Sequence, residues 1–311
     1  MKKRILFVVG PTAVGKTEVA VSLARKINAE IISCDSMQLY KGMGIITSKP
    51  SKKLRKRVVH HLLDVVSPTR DYNVSRFRRE ALNKIKEIVN KGKVPLLVGG
   101  TGLYMSILLD GIFKAHKEDK ATREKLYREA VRYGSAHLHK KLLKVDPEAA
   151  QKIHPNDTKR MVRALEVFAA TGKPISQLQK QRIGLKDEYD SKVFCLDMPR
   201  VDLYARIDKR VEEIFKKGLI KEVRGLLKMK LSRTASCAIG IKELKGYFEG
   251  LYDLVEVKRL MKCHTRRYAK RQLTWFRKDK RLEWVMVGQD EKPASIAKRI
   301  GEAWNAHCLL Q

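Results

Sequence analysis

The segment Gly10-Pro11-Thr12-Ala13-Val14-Gly15-Lys16-Thr17 constrains this chain more than any other, because its surroundings are as informative as its composition. It follows the apolar run Ile5-Leu6-Phe7-Val8-Val9 and leads into an amphipathic stretch from Glu18 to Ile27. Buried strand, glycine turn and helix in that order make a phosphate-binding P-loop. Gly10, Thr12, Ala13, Val14 and Gly15 supply backbone N–H groups, the helix adds its positive N-terminal end, Lys16 adds a point charge, and the Thr17 hydroxyl can ligate Mg²⁺. The motif demands a polyphosphate and leaves open whether that is ATP, GTP or another diphosphate.

Two further strands follow. Glu30-Ile31-Ile32-Ser33-Cys34-Asp35 is a short apolar run that delivers Asp35 to its C-terminal edge, where ligands bind in open α/β sheets. Residues 41 to 57 are rich in Gly, Ser and Lys and read as a mobile basic loop, and Val74 to Asn90 has helical periodicity. Val94-Pro95-Leu96-Leu97-Val98 is a buried run, and the turn Gly99-Gly100-Thr101-Gly102 lets the backbone approach a ligand before a helix starts near Leu103. Val193-Phe194-Cys195-Leu196 and Trp284-Val285-Met286-Val287 can add two more strands. The expected fold is α/β, a P-loop NTPase-like parallel sheet with helices on both faces. Between residues 117 and 190 the sequence is charged and helical (Thr122 to Tyr133, His137 to Val145, Asp157 to Thr171, closed by Gly172-Lys173-Pro174). This predicts a core domain of residues 1–116 and 191–311 interrupted by a helical insertion domain of residues 117–190.

Charge narrows the partners. Lys and Arg total 67 against 34 Asp and Glu, a formal net charge of +33 that runs through both halves of the chain. Solubility needs far less, so a polyanion, nucleic acid first, is the expected partner; a basic surface without a task is the alternative. The five cysteines (34, 195, 237, 263 and 308) contain no Cys-x-x-Cys pair and suggest neither zinc nor disulfides. The apolar run before the P-loop is too short for a signal sequence or a membrane span. A cytoplasmic protein with no membrane partner is expected.

Asp35-Ser36-Met37-Gln38 puts a carboxylate, a hydroxyl and a primary amide within one turn at the sheet edge. The carboxylate can accept a proton or support Mg²⁺, and the amide can bond an adenine edge; a helix cap with a solvated Gln is the bland reading. Asp35-Ser36-Met37-Gln38-Leu39-Tyr40, preceded by the P-loop and followed by Gly99-Gly100-Thr101-Gly102-Leu103-Tyr104, resembles the tRNA dimethylallyltransferase family. So do His61-Leu62-Leu63-Asp64, Asn156-Asp157 with Arg163-Ala164-Leu165-Glu166-Val167, Tyr204-Ala205-Arg206-Ile207, Ala238-Ile239-Gly240, and Thr265 to Gln272 with Trp275-Phe276-Arg277, nearly the whole chain. Gly44 and Ile46 depart from the family pattern.

The resemblance implies transfer of a dimethylallyl group from dimethylallyl diphosphate, held in the P-loop, to the exocyclic amine of the adenine 3′ to the anticodon of tRNA. It implies catalytic roles for Asp35, as general base, and Thr101, which positions the amine, with Mg²⁺ held by Thr17 and Asp35. It also implies tRNA contacts from Asp35, Ser36, Met37, Gln38 and Thr101, from Arg123, Lys159, Arg160, Met161, Val162 and Arg163 in the insertion, and from Tyr268, Gln272 and Arg277. The anticodon stem-loop is the expected partner and a monomer the expected state. The rival readings are a P-loop small-molecule kinase or adenylate prenyltransferase acting on a free nucleotide, which has no use for so basic a chain, and a nucleotide-switched RNA-binding protein, which lacks a second acidic motif for ATP hydrolysis.

Overall fold

The computed structural model describes residues 3–113 and 119–309. Its strands are β1 (Lys3–Val9), β2 (Ala29–Ser33), β3 (His60–His61), β4 (Val94–Gly99), β5 (Tyr189–Asp197) and β6 (Leu282–Met286). They form one sheet in the order β3-β2-β4-β1-β5-β6, every pair parallel. A parallel sheet needs a crossover between neighbouring strands and has both faces covered, which explains the near-continuous apolar runs of β1 and β4.

Alternation divides those runs between two cores. Leu6 and Val8 share a buried cluster with the helix Lys16–Lys26 and with Ile296, Ile300 and Trp304 of the helix Pro293–Leu309. Ile5 and Phe7 point the other way, to the face where the helix Val74–Asn90 packs on β2 and β4 with Phe77, Ala81, Ile85 and Ile88 buried. The α/β class with a parallel sheet is therefore as the sequence predicts.

The edge strand β3 is not visible as an apolar run. It is two histidines, held to the sheet by a buried carboxylate: Glu30 of β2, 2% exposed, accepts hydrogen bonds from Lys93 and meets His61 at 2.7 Å. Burial alone would raise the Glu30 pKa, but the bonds from Lys93, His61 and Lys91 bring it down to about 2.

The segment after Tyr40 also differs from its sequence reading as a mobile basic loop. Met43 is fully buried and Ile46 nearly so. Ser51 caps the short helix Lys52–Arg55 through Leu54 N–H, and the Lys49 ammonium is buried against Asp64 and the Tyr40 carbonyl. One basic side chain of the segment, Lys49, is turned inward, while Lys41, Lys52, Lys53 and Lys56 stay exposed.

The chain divides into two compact units, residues 1–108 with 188–311, and residues 109–187. The second holds the helices Lys120–Tyr133, Ser135–Val145, Pro147–Lys152, Thr158–Thr171 and Ile175–Lys180 around its own core of Leu138, Leu142, Met161, Val162 and Ala164. Asp157 caps the fourth of these through Arg160 N–H, and Gly172 ends it in the left-handed conformation.

Candidate active site

Register brings three strand ends to one place. Val9 lies opposite Gly99, and Ser33 opposite Val98, so the P-loop, the Asp35 turn and the Gly100-Thr101 turn leave the sheet side by side. Cys34 N–H donates to the Val98 carbonyl at 2.7 Å and Thr101 N–H to the Cys34 carbonyl at 3.2 Å. A Cβ on Gly99 would sit 2.2 Å from the Cys34 carbonyl oxygen, so only glycine permits this approach.

Gly10 adopts a φ of +146°, and a Cβ there would meet the Leu196 carbonyl oxygen at 2.5 Å. Ala13 takes a positive φ of 67°, strain that persists only where the surroundings impose it. The helix Lys16–Lys26 begins after a left-handed Gly15 with no side chain capping it, which leaves its first N–H groups to an anion in the loop. Lys16 Nζ donates to the Pro11 carbonyl at 2.6 Å, folding the side chain back over the loop. Burial lowers its pKa to about 8; Asp35 opposes that shift and Arg210 adds to it.

Asp35 Oδ1 accepts from the Met37 and Gln38 N–H groups at 2.8 and 3.3 Å, so the carboxylate builds its own turn while lining the cavity. Asp35 therefore caps a turn and not a helix, Gln38 after it is bonded within the chain and not solvated, and the carboxylate still borders the cavity. Thr101 Oγ1 accepts from Ser36 N–H at 3.1 Å and bonds to Tyr268, whose phenol is held protonated by burial and by the nearby Asp35.

Two cavities meet at these groups. One, of about 560 Å³, is lined by Lys16, Thr17, Lys49, Arg206, Arg210 and Lys217 among others; the second, of about 310 Å³, is more apolar, with Ile46, Ile207, Val211, Ile239 and Met261 in its walls. Thr12, Asp35, Arg210, Ile214 and Tyr268 border both. A cationic chamber for a phosphate and an apolar chamber thus share a boundary made by a carboxylate, a guanidinium and a phenol.

Arg210 had no role in the sequence reading. Burial depresses its pKa while Asp35 and Glu18 sustain it, and its charge is felt by the P-loop lysine, so the guanidinium belongs to the same cluster as Lys16 and Asp35. The available signal was spacing: Arg206 and Arg210 stand four apart on the helix Arg200–Lys216, on one face.

Several expected tRNA contacts are placed differently. Gln272 is 6% exposed; its Oε1 accepts from Thr12 N–H and its Nε2 donates to the Gly100 carbonyl, both at 2.8 Å. It brackets two strand ends instead of gripping a base. Gln38 likewise uses its amide inside the chain, with the Ser33 hydroxyl and the Thr47 carbonyl. Met161 and Val162 are core residues of the second unit, 0% and 1% exposed. Arg163 and Arg123 both pair with the buried Glu166, at 2.9 and 2.8 Å, so part of their charge is neutralised within that unit. Lys159 and Arg160 are exposed, Arg160 beside Asp157 at 3.2 Å. Ser36 and Met37 border the apolar cavity, and Arg277 lies exposed 3.9 Å from Asp197.

Sequence comparison matches residues 38–279 to the family model described as IPP transferase and residues 3–63 to one described as isopentenyl transferase. The chain belongs to the IPP transferase family. Among the relatives of this family member, the tRNA dimethylallyltransferase of Carboxydothermus hydrogenoformans is 46% identical over 305 residues, covering 97% of this chain and 98% of its own. That of Geobacter sulfurreducens is 46% identical, covering 91% and 92%. Among solved structures, the full-length tRNA isopentenylpyrophosphate transferase of Bacillus halodurans superposes with a TM-score of 0.72 at 38% identity, covering 99% of both chains. A eukaryotic dimethylallyltransferase described as acting on tRNA gives a TM-score of 0.76 at 30% identity, covering 91% of this chain and 74% of the other. The two-cavity site of this IPP transferase family member is built wholly from the first compact unit.

Proposed function

We propose that this protein transfers a dimethylallyl group from dimethylallyl diphosphate to the exocyclic amine of the adenine 3′ to the anticodon of tRNA, releasing diphosphate. The observation that carries this reading is the shared boundary of the two cavities, where Asp35 faces both the phosphate-binding loop and an apolar chamber. The diphosphate lies among the P-loop N–H groups, Lys16, Arg206 and Arg210. As the allylic C–O bond breaks, its electron pair passes to the diphosphate, and these donors stabilise the charge that grows there. The adenine nitrogen forms the new C–N bond and gives its proton to Asp35, because an amine whose lone pair is delocalised into the ring is a weak nucleophile until that proton leaves. Thr101, fixed by Ser36 N–H and Tyr268, accepts from or donates to the amine and aligns it.

The Thr17 hydroxyl would hold Mg²⁺ directly and Asp35 would reach it through a water, because Oδ1 is committed to the turn and the other oxygen takes the proton. Among the described residues no cluster of three or more His, Cys, Asp or Glu could hold a metal by itself. That donor set fits Mg²⁺, which keeps water and takes its remaining oxygens from a diphosphate. The ion would add electrostatic stabilisation of the leaving group.

The anticodon stem-loop, held by exposed cations such as Lys159 and Arg160, is the acceptor in this reading, and the protein acts as a cytoplasmic monomer. No helix among the described residues is long and apolar enough to cross a membrane. The test is incubation with radiolabelled dimethylallyl diphosphate and unmodified tRNA. Label in the RNA at the adenine after the anticodon, without added ATP, is the expected result; equal labelling of free AMP would support the adenylate prenyltransferase instead.

A further inference from the structure

The segment from Gly44 to Ser48 forms wall on both sides of the site. Gly44, Ile45 and Ser48 face the cationic cavity, while Ile46 and Thr47 face the apolar one. Three successive N–H groups of this segment converge on one carboxylate from a helix far along the chain, Leu219–Leu227. Glu222 Oε2 accepts from Gly44 at 3.0 Å and Ile45 at 2.9 Å, and Oε1 from Ile46 at 2.8 Å and again Ile45 at 3.1 Å. Consecutive N–H groups aimed at one point make an anion-binding concavity, and here the protein's own carboxylate fills it. Bonds to an ionised acceptor are about twice as strong as neutral ones, so the segment is fixed at these three residues.

The consequence falls on Ile46. Its N–H is held by Glu222, and its side chain, 9% exposed, is part of the wall of the apolar cavity that also contains Asp35. A wall defined by backbone bonds to a half-buried carboxylate cannot retreat to admit a longer chain without breaking them. We propose that Glu222 is a positioning residue that sets Ile46 as the stop limiting the length of the allylic chain accepted beside Asp35. The inference rests on the function proposed above and extends it to donor selectivity.

The experiment compares kcat/KM for dimethylallyl and geranyl diphosphates, five and ten carbons long, with the same tRNA, in the wild type, E222A, E222Q and I46A. A pocket change of this size alters discrimination by about 10-fold or more. The wild type should favour the five-carbon donor strongly. E222A and I46A should each shift the ratio toward geranyl diphosphate by about 10-fold or more, and E222Q, which keeps acceptor oxygens, by less. Loss of stability alone lowers both rates together and leaves the ratio unchanged, so the ratio separates positioning from folding. Should E222A fail to fold, I46A decides, because it keeps the Glu222 bonds. A wild type inactive with both donors would remove this inference and the proposed function together. A wild type active with dimethylallyl diphosphate, and variants that keep its ratio, would overturn the inference alone.

Discussion

Asp35 fixes its own turn with one carboxylate oxygen. Oδ1 holds the turn through Met37 and Gln38 N–H, which fixes where the carboxylate stands, and its place on the boundary of the cavities suits it to take a proton. Asp35→Asn keeps an oxygen for the turn but cannot accept the proton. Its single-turnover rate should fall by about 10²- to 10⁴-fold while tRNA affinity is retained; a near-normal rate would remove Asp35 as the base. Lys16 supports a second prediction. With its pKa near 8 in the free protein, it is charged below that pH and neutral above, and only the charged form attracts diphosphate. Affinity for diphosphate should therefore fall as pH rises through about 8. Lys16→Arg stays charged, so the ratio of wild-type to variant affinity, in which the ligand's own titration cancels, should decline above pH 8; a flat ratio between pH 7 and 9.5, read by calorimetry, would argue against a titrating Lys16. At this scale the sequence revealed motif residues whose chemistry depends on local order: Lys16, Thr17, Asp35 and Thr101. Arg210 was not legible, because its role depends on which face of a helix meets a loop nearly two hundred residues earlier in the chain.

Among the elements, the parallel sheet was readable because both of its faces are buried, which leaves near-continuous apolar runs in β1 and β4. β3 was not, since Glu30 and His61 hold it in place of apolar packing. The long helix Leu254–Phe276 shows the limit of periodicity most clearly. Tyr268, Gln272 and Trp275 do lie along it at helical spacing, yet spacing does not say that Gln272 turns inward to join two strand ends. Replacing it leaves the part-buried Thr12 N–H and the buried Gly100 carbonyl without this partner, and the carbonyl alone costs about 1–3 kcal/mol. Gln272→Ala should lower the thermal midpoint and weaken diphosphate binding, because the P-loop loses its lateral bracket. Gln272→Glu should do at least as much damage, since a carboxylate can accept from Thr12 but repels the Gly100 oxygen. A pair of variants with unchanged midpoint and unchanged diphosphate affinity would assign Gln272 to the RNA surface after all.

Across the whole molecule, a net charge of +33 has to be divided between cations that face solvent and cations already spent inside the fold. Sequence alone counts them equally. In the helical unit the structure separates them: Arg123 and Arg163 flank Glu166, whose pKa they hold down against its burial, whereas Lys159 and Arg160 stand exposed. If the polyanion is tRNA, the two classes should respond to salt differently. Removing a single cation–phosphate pair makes the slope of log affinity against log salt shallower by about 0.7 to 0.9. Lys159→Ala and Arg160→Ala should each shift the slope by that amount and leave diphosphate binding alone. Arg163→Ala should instead reveal itself first as reduced stability, because it leaves the buried Glu166 with one fewer partner, and a shift in slope should follow only to the extent that this guanidinium also reaches a phosphate. The comparison is completed by the acceptor. An anticodon stem-loop should exceed free AMP in kcat/KM by orders of magnitude, because interactions with phosphates remote from the reacting amine supply the free energy that holds the base out of its stack. Unchanged slopes for Lys159→Ala and Arg160→Ala, with a stem-loop to AMP ratio near unity, would mean that the basic surface serves no RNA and that the free nucleotide is the true acceptor.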